Sequence, residues 1–284
     1  MRINHNISAM VTQGSLFQAN RELGKSLEKL STGLRVNRAS DDAAGLGVSE
    51  NLRTQIRGAA QAQRNAQDGI AALQIAEGAA NEISDILQRM RELAIQSGND
   101  TLTSTERAYT EQEFTNLRSE IDRISNVTNY NGQSLISTAT DRFGYSASSG
   151  DGAVLWIDAN QAVGTDSITV TIDTLSASSF NGLDSASISD QSTAVSSIST
   201  IDGAINSVNS ARADIGAFVN RLEHAVNNLI VAETNQTAAE SLIRDVDFAS
   251  ETANFTRNQI LTQSATSMLA QANMIPSSVL GLLG

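Results

Sequence analysis

The sequence predicts a mainly α-helical protein. We expect a long antiparallel helical bundle or coiled coil, with paired terminal helices and a small β-hairpin region in the middle. Two observations carry this prediction. The 284 residues include one proline, Pro276, whereas an average chain of this length has roughly 14. Apolar residues also recur at steps of three and four along much of the chain, which is the spacing of a helix packed along one seam.

Three apolar runs predict the helices of the N-terminal half. Leucines at helical spacing predict the first: Leu16, Leu23, Leu27, Leu30 and Leu34. The second run alternates steps of three and four without a miss, as in a coiled-coil seam. Its members are Leu73, Ala76, Ala80, Ile83, Leu87, Met90 and Ala94. The third run is Phe114, Leu117, Ile121 and Ile124.

A turn separates the second and third of these helices. Residues 97–103 read SGNDTLT, which is a typical turn composition. Thr103 and Glu106 have the spacing of a capping box, in which each side chain accepts a hydrogen bond from the other residue's backbone N–H. We therefore expect the two helices to fold back on each other as a hairpin.

The second half repeats the helical pattern after a β region. Residues 153–157 and 168–172 are rich in apolar and β-branched residues, and the second run alternates strictly, as strands do. They predict a β-hairpin region over about 140–183. A seam interrupted by Arg212 follows: Ala194, Ile198, Ile201, Ile205, Val208, Ile215, Val219, Leu222, Val226 and Leu229. A last helix is predicted over 238–272, ending near Pro276 because proline does not easily extend a helix.

Charge is distributed unevenly along the chain, whose net charge is −12. Residues 3–20 and 258–284 contain no Asp, Glu, Lys or Arg, whereas residues 141–205 contain eight aspartates and one basic residue, Arg142. Exposed helices normally carry charge for solubility. The uncharged ends therefore predict helices that pack inside an assembly, with frayed tails as the alternative. The acidic middle is expected to face water.

Composition excludes several kinds of chemistry. With no cysteine and two histidines, His5 and His224, the chain offers neither a thiolate site nor a histidine-rich metal site. A pI of about 4.6 argues against nucleic-acid binding, and no apolar stretch is long enough to span a membrane. Asp41 and Asp42 fit a cap or a turn better than paired-carboxylate catalysis. We expect no enzyme activity, no cofactor and no metal.

Seven short segments resemble bacterial flagellins, the subunits of the flagellar filament. In the N-terminal half they are LSTGLRVNRASDDAAG at 30–45, RNAQDGI at 64–70 and QRMRELA at 88–94. In the C-terminal half they are NRLE at 220–223, AAES at 238–241, RDVD at 244–247 and MLAQAN at 268–273. They occur in the order of the family, and the likeness covers about residues 1–140 and 190–284. Gln236 and Leu242 depart from the pattern, which has an apolar residue and an arginine there.

The resemblance implies a layered subunit. Residues 1–40 and 236–284 would be inner-tube helices, 41–140 and 191–235 the two parts of a helical bundle, and 141–190 a short variable middle. The apolar residues implied for inner-tube assembly are Leu16, Leu23, Leu27, Leu30, Ile260, Met268, Leu280, Leu282 and Leu283. The family site for host Toll-like receptor 5 would correspond to Gln88, Arg89, Leu93 and Glu113.

The resemblance also implies partners and a destination. The subunit would polymerise with itself into the extracellular filament, after export without a cleaved signal peptide. An export chaperone, the export apparatus, the filament cap and the hook–filament junction proteins would act on it. Three alternatives stay open: the hook–filament junction protein itself, a flagellin with a metalloprotease insert, and a coiled-coil adaptor that does not polymerise. The absence of an HExxH motif and the short middle argue against the metalloprotease.

Overall fold

The structure is a computed structural model that describes residues 5–137, 143, 145–146, 150–158 and 166–280. Within these residues the chain is mainly helical, as predicted. The helices are α1 (Ile7–Thr32), α2 (Ala43–Ser97), α3 (Ser104–Val127), α4 (Gln191–Arg244) and α5 (Phe248–Leu280). The strands are β1 (Asn129–Tyr130), β2 (Gln133–Ser134), β3 (Tyr145–Ser146), β4 (Gly150–Asp151), β5 (Ala153–Trp156) and β6 (Ser167–Val170).

The chain forms two compact units. The terminal unit combines Met1–Gln55 with Thr234–Gly284, and the bundle unit is Ile56–Glu233. Helices α2 and α4 contribute residues to both units. The terminal unit also contains α1 and α5, whereas the bundle unit also contains α3 and the six strands.

The predicted seams form the core of the bundle unit. All seven members of the run from Leu73 to Ala94 are 0% exposed. From α3, Phe114 and Ile121 are also completely buried. Between residues 194 and 229 of α4 every seventh residue is buried as well: Ala194, Ile201, Val208, Ile215, Leu222 and Leu229. All but Leu229 belong to one continuous apolar cluster. The heptad pattern therefore identified the buried face of each bundle helix correctly.

The turn between α2 and α3 is confirmed together with its cap. The Thr103 hydroxyl accepts from the backbone N–H of Glu106 at 3.4 Å, and the Glu106 carboxylate accepts from the Thr103 N–H at 2.8 Å. Arg107 from the first turn of α3 donates to the carbonyl of Ser97, the last residue of α2, at 2.9 Å. These bonds satisfy backbone groups that helix ends leave without partners.

The strands form three small two-stranded sheets, and one of these hairpins, β1–β2, was not predicted from the sequence. Strands β5 and β6 pair antiparallel from Ala153↔Val170 to Trp156↔Ser167, which confirms the predicted hairpin. Strands β1 and β2 form another hairpin, and β3 pairs with β4. Asn131 and Gly132 connect β1 to β2 with φ of 51° and 80°. Asn-Gly is a strong hairpin signal because both residues tolerate positive φ, so the sequence did contain the cue.

A segment without regular structure, residues 171–190, is held along α3 by side chains of that helix. The Asp122 carboxylate accepts from the N–H of Ala177 at 2.9 Å, and the Glu111 carboxylate accepts from the N–H of Ile188 at 2.5 Å. Between them, Arg118 donates to main-chain carbonyls of the segment. The segment contributes Leu175, Ala177, Phe180, Leu183 and Ile188 to the core. Polar residues of α3 thus keep an irregular backbone satisfied while its apolar side chains are buried.

Two helix boundaries differ from the prediction. Leu34 lies outside α1, because the helix ends at Thr32 and Gly33 caps it with φ of 73°, a conformation that favours glycine. The predicted helix over 238–272 is wrong as a single element, since the chain leaves the helix after Arg244 and starts again at Phe248. Asp247 explains the new start: its carboxylate accepts from the N–H groups of Ala249 and Ser250 at 2.9 and 3.3 Å.

The expected stop at Pro276 is also wrong. Helix α5 continues to Leu280. Proline removes one helix hydrogen bond, the one to the carbonyl four residues earlier. That carbonyl belongs to Ala272, and it accepts a hydrogen bond from the side-chain amide of Asn6 at 2.8 Å. The lost bond is thereby replaced by a side chain that lies just before α1.

Candidate functional site

The terminal unit brings the two uncharged ends of the chain together as an antiparallel pair of helices. Near the start of α1, Asn6 contacts the carbonyl of Ala272 close to the end of α5. At the other end of the pair, Lys29 Nζ lies 4.0 Å from Glu251 Oε2, in the first turn of α5. The paired terminal helices of the predicted fold are therefore present.

This helix pair leaves large apolar side chains in solvent. Of the predicted assembly residues, Leu16, Leu23 and Leu30 are half-buried, while Leu27, Ile260 and Met268 are 57–61% exposed. Residues 282 and 283 and the side chain of Leu280 lie outside the described part of the chain. Further apolar residues of the pair that the leucine spacing did not indicate are also exposed: Ile7, Met10, Val11, Phe17, Leu261 and Met274.

A groove of about 510 Å³ runs between the two helices. Polar side chains lining it are mostly hydroxyls and amides, and Glu22 is the charged residue among them. Its lining residues are Val11, Thr12, Ser15, Gln18, Ala19, Glu22, Asn258, Leu261, Ser264, Ala265 and Met268. A largely uncharged, partly apolar groove of this kind suits packing against protein rather than binding of an ion.

The connections that follow α1 and α4 are joined by backbone hydrogen bonds. The N–H of Arg35 donates to the carbonyl of Arg244 at 2.6 Å, and the N–H of Val246 donates to that of Gly33 at 3.0 Å. Leu34 pairs with Asp245 in an isolated antiparallel bridge. The family-like segments at 30–45 and 244–247 thus meet in one junction, which fixes where both terminal helices leave the longer helices.

Arg244 is the charged centre of this junction. Its guanidinium donates to Glu50 Oε1 at 2.9 Å and lies 3.9 Å from Glu240. The hydrogen bond from Arg244, and after it that from Arg53, lowers the pKa of the Glu50 carboxyl. The pair is solvent-exposed on the glutamate side, so its main effect is to orient the two helices rather than to stabilise them strongly.

Asp41 closes a turn and Asp42 caps α2, in agreement with the predicted cap or turn. Asp41 Oδ2 accepts from the backbone N–H groups of Asn37 and Arg38 at 3.2 and 3.0 Å, and the bond from Arg38 lowers the pKa of this carboxyl. Asp42 Oδ1 accepts from the N–H of Gly45 at 2.8 Å, in the first turn of α2. A Cβ at Gly45 would lie 2.3 Å from a carboxylate oxygen of Asp42, so any larger residue would displace the capping carboxylate.

Two residues that depart from the family pattern, Gln236 and Leu242, are accommodated locally. Leu242 is 85% exposed and therefore has no packing role within the subunit. Gln236 donates to Gln55 Oε1 at 3.2 Å, so an amide pair joins α2 and α4 where an apolar contact was expected.

The four residues implied for receptor recognition do not form one exposed surface. Arg89 donates through Nη1 to Glu92 at 3.0 Å and through Nε to Glu113 at 3.0 Å, and these bonds raise the pKa of its guanidinium. Gln88, Arg89 and Glu113 lie at the surface, whereas Leu93 is only 1% exposed. The structure thus gathers the polar residues on the surface of the bundle unit and places Leu93 in its core.

The segment at 64–70 packs against the β5–β6 hairpin. Asn65 Nδ2 donates to the carbonyl of Trp156 at 3.2 Å. One turn later, Gly69 allows close approach, because a Cβ at this position would lie 2.5 Å from a methyl carbon of Leu155. This family-like segment is therefore a docking site for the chain's own hairpin.

Within the described ranges, no set of three His, Asp or Glu side chains is placed to hold a metal ion. None of the helices there has a stretch apolar enough to cross a lipid bilayer.

Comparisons with known proteins agree with this architecture. Residues 3–141 match the family model described as the bacterial flagellin N-terminal helical region, and residues 198–283 match the C-terminal helical region. A flagellar filament 33 kDa core protein from Treponema phagedenis is 45% identical over 290 residues, with both chains covered completely. A flagellin from Bacillus subtilis is 44% identical over 306 residues, again over both full lengths.

A solved structure from Vibrio parahaemolyticus, described as a putative flagellar hook-associated protein, has a TM-score of 0.58. It covers 72% of this chain and 99% of its own, at 21% identity, which supports the fold alone. Two family models that together match most of the chain, and relatives of 44–45% identity over its full length, show that the chain belongs to the bacterial flagellin family.

Proposed function

We propose that this chain is a structural subunit that polymerises into the extracellular bacterial flagellar filament, and that the terminal unit drives assembly. The main support is that α1 and α5 expose large apolar side chains on helices that carry little charge. Its full-length relatives include a filament core protein and flagellins. The hook–filament junction alternative has no comparable observation in its favour.

The exposed apolar side chains of α1 and α5 need a covering surface. Phe17 is 71% exposed and Met10 65% exposed, and scattered side chains of this kind continue along both helices. Burial from water contributes about 25 cal/mol per Å² of apolar surface. Repeated head-to-tail contacts between copies build an open helical polymer, in which each subunit covers the next. Assembly is then the step at which these side chains become buried.

Seeded polymerisation tests this proposal. Purified full-length chain, seeded with filament fragments, should grow into long filaments visible by electron microscopy. Ile260→Glu places a charge on the exposed apolar face of α5 and should abolish growth. Gln191→Glu introduces the same charge at an exposed position, the first residue of α4, and should grow like the wild type. Absence of filaments from the wild type, or equal growth of both variants, would contradict the proposal.

We further infer the layered arrangement that the resemblance implies. In it, residues 1–40 and 236–284 form the inner tube, 41–140 and 191–235 form the bundle, and 141–190 form the short variable middle, whose apolar side chains also pack in the bundle core. The uncharged ends and the acidic middle support this order. In the free subunit the ends should be digested first by a protease, and the bundle should survive. Ends that resist digestion as long as the bundle does would contradict the layering.

Export and tip assembly follow from the same proposal. The subunit would leave the cell through the flagellar export apparatus with the help of an export chaperone, and without a cleaved signal peptide. The filament cap would guide its insertion beyond the hook–filament junction proteins. The cysteine-free sequence supports this route, because a chain without disulfides can be unfolded and refolded freely. Mass spectrometry of filaments should find Met1 or Arg2 at the N-terminus.

Recognition by Toll-like receptor 5 is proposed for the surface residues Gln88, Arg89 and Glu113. An exposed arginine held in place by two carboxylates is a suitable interface anchor, since arginine is enriched at binding hot spots. Leu93 would act indirectly, because its burial fixes the turn of α2 that carries Arg89.

The contribution of Arg89 to receptor recognition can be measured as the receptor signalling that the Arg89→Ala variant induces. We expect about a tenfold or greater loss of potency. Arg123→Ala is the matched control, because Arg123 is also exposed and also pairs with a glutamate three residues away. Equal potency of the two variants would overturn the assignment. Leu93→Ala is unsuitable as a test, since loss of a buried leucine destabilises the fold by about 2–5 kcal/mol.

A further inference from the structure

The side chain of Asn6 uses both ends of its amide. Its Oδ1 accepts a hydrogen bond from the backbone N–H of Ala9 at 3.1 Å, which caps the start of α1. Its Nδ2 donates to the carbonyl of Ala272 in α5 at 2.8 Å. One short side chain therefore links the end of one terminal helix to a fixed backbone atom of the other, 266 residues away in sequence.

The carbonyl of Ala272, which Asn6 contacts, lacks its usual hydrogen-bond donor within its own helix. In an α-helix it would accept the N–H of the residue four positions later, and that residue is Pro276, which has no N–H. Ala272 is 7% exposed, so water is largely kept from this oxygen. A buried carbonyl without a partner is destabilising, and the Asn6 amide removes this cost only when α1 and α5 are correctly aligned.

The backbone junction of residues 33–35 with 244–246 joins the far ends of the two helices, but the side chains between that junction and Asn6 specify the alignment weakly. Serine, alanine and leucine recur along both helices, so a shift of one helical turn would bring similar side chains into contact. The ion pair at the far end, Lys29–Glu251, spans 4.0 Å between long side chains and tolerates some movement. A single polar residue at a packed position is known to specify the register of paired helices.

We propose that Asn6 and Pro276 form a register lock for the terminal helix pair. Pro276 leaves one carbonyl of α5 free, and Asn6 recognises that carbonyl, so the pair is stable in one alignment. Asn6 is thus a positioning residue. The biological purpose of the lock rests on the proposed assembly function, because the subunits of a regular polymer need identical terminal helix pairs. The contacts of the lock itself lie within one subunit.

Cysteine pairs can measure the register, since the chain has no cysteine of its own. Ser15 and Ser264 both line the groove between α1 and α5. Ser15→Cys with Ser264→Cys therefore reports the alignment seen in the structure. Ser15→Cys with Gln271→Cys, displaced by seven residues along α5, reports a slipped one. The measured quantity is the ratio of the in-register disulfide yield to the slipped disulfide yield, both within one full-length chain. It is measured with and without polymerisation, so the result does not depend on filament formation.

Asn6→Asp is the informative variant. A carboxylate keeps the acceptor that caps α1 but has no donor for Ala272, so we expect the ratio to fall several-fold. Asn20→Asp adds the same charge at an exposed position of α1 and should leave the ratio unchanged. Pro276→Ala restores the missing N–H to the helix, and in that background Asn6→Asp should have a much smaller effect.

Three results would overturn the lock. They are an unchanged ratio in Asn6→Asp, an equal fall with and without Pro276→Ala, and no preference for the in-register disulfide in the wild-type background. The second would show that the effect of Asn6 does not depend on the carbonyl that Pro276 leaves free. Electron microscopy of the same samples reports polymerisation separately, so a failure of assembly is distinguished from a failure of alignment.

Discussion

The two units of this chain are both helical but differ in what stabilises them. The bundle unit contains a continuous apolar core in which the seam of α2 is completely buried. Among the described residues of the terminal unit, the buried apolar side chains are Val36 and Ala272. Its helices nevertheless carry at least as many large apolar residues in solvent as the bundle does.

The difference shows how similar heptad-like patterns can serve two purposes. A helix pair with one narrow apolar seam buries too little surface to offset the conformational entropy lost on ordering. The bundle unit avoids this limit by adding α3, the β5–β6 hairpin and the segment 171–190 around its seams. The described part of the terminal unit has no such covering elements, and the proposed covering is a neighbouring subunit.

The largest expected effect comes from removing the same side chain in each unit. Phe114 is 0% exposed and Phe17 is 71% exposed. Phe114→Ala should lower the free energy of unfolding of the monomer by about 3–5 kcal/mol. Phe17→Ala should change it by less than about 0.5 kcal/mol, yet lower the temperature at which filaments dissociate. Chemical denaturation of the monomer and light scattering of heated filaments measure the two quantities. Equal monomer destabilisation by both variants would remove the distinction between the units.

A second pair of substitutions examines how tightly the bundle unit is packed around α2. A methyl group at Gly69 would meet Leu155 at 2.5 Å, whereas nothing lies within 4 Å of a methyl group at Gly78. Gly69→Ala should therefore destabilise the monomer by about 1–3 kcal/mol. Gly78→Ala should stabilise it by about 0.4–1 kcal/mol, because alanine restricts the unfolded chain. Both are read from urea unfolding, and stabilisation by Gly69→Ala would show that the hairpin is not docked closely.

The sequence predicted the bundle unit better than the terminal unit for a physical reason. The seam from Leu73 to Ala94 repeats because each member faces one core, so its spacing encodes its burial. The capping box at Thr103 was predictable because both partners lie within one helical turn. In the terminal unit the leucine spacing predicted a helix correctly, but it could not tell whether the leucines would be covered.

Other features depend on contacts that spacing does not reveal. Leu93 was assigned to a recognition surface by resemblance, but it neighbours Ala94 on the buried edge of the seam and is itself buried. Pro276 was read as a helix stop because the partner of the Ala272 carbonyl, Asn6, is at the opposite end of the chain. The restart of the helix after Asp247 could have been found, since aspartate before an apolar helical run is a known start signal.

The smallest predicted effect is the pH dependence of stability. It should appear in a different assay for each of the two units. In the bundle unit, backbone and side-chain hydrogen bonds from Thr103 lower the pKa of the Glu106 carboxyl. In the terminal unit, hydrogen bonds from Arg244 and Arg53 lower the pKa of Glu50. A carboxyl with a lowered pKa in the folded state stabilises that state above its unfolded pKa of about 4.3, and the contribution is lost as pH falls through the folded value.

Glutamine variants should therefore differ from the wild type near neutral pH and converge with it as the medium becomes acidic. For Glu106→Gln the difference should appear in the melting temperature of the monomer, because α3 belongs to the unit with its own core. For Glu50→Gln it should appear in the dissociation temperature of filaments, where α1 and α5 are proposed to be covered by neighbouring subunits. Both differences should be small, since the two carboxylates are exposed. A Glu50→Gln effect of the same size in the monomer would show that the terminal unit is already stable before assembly.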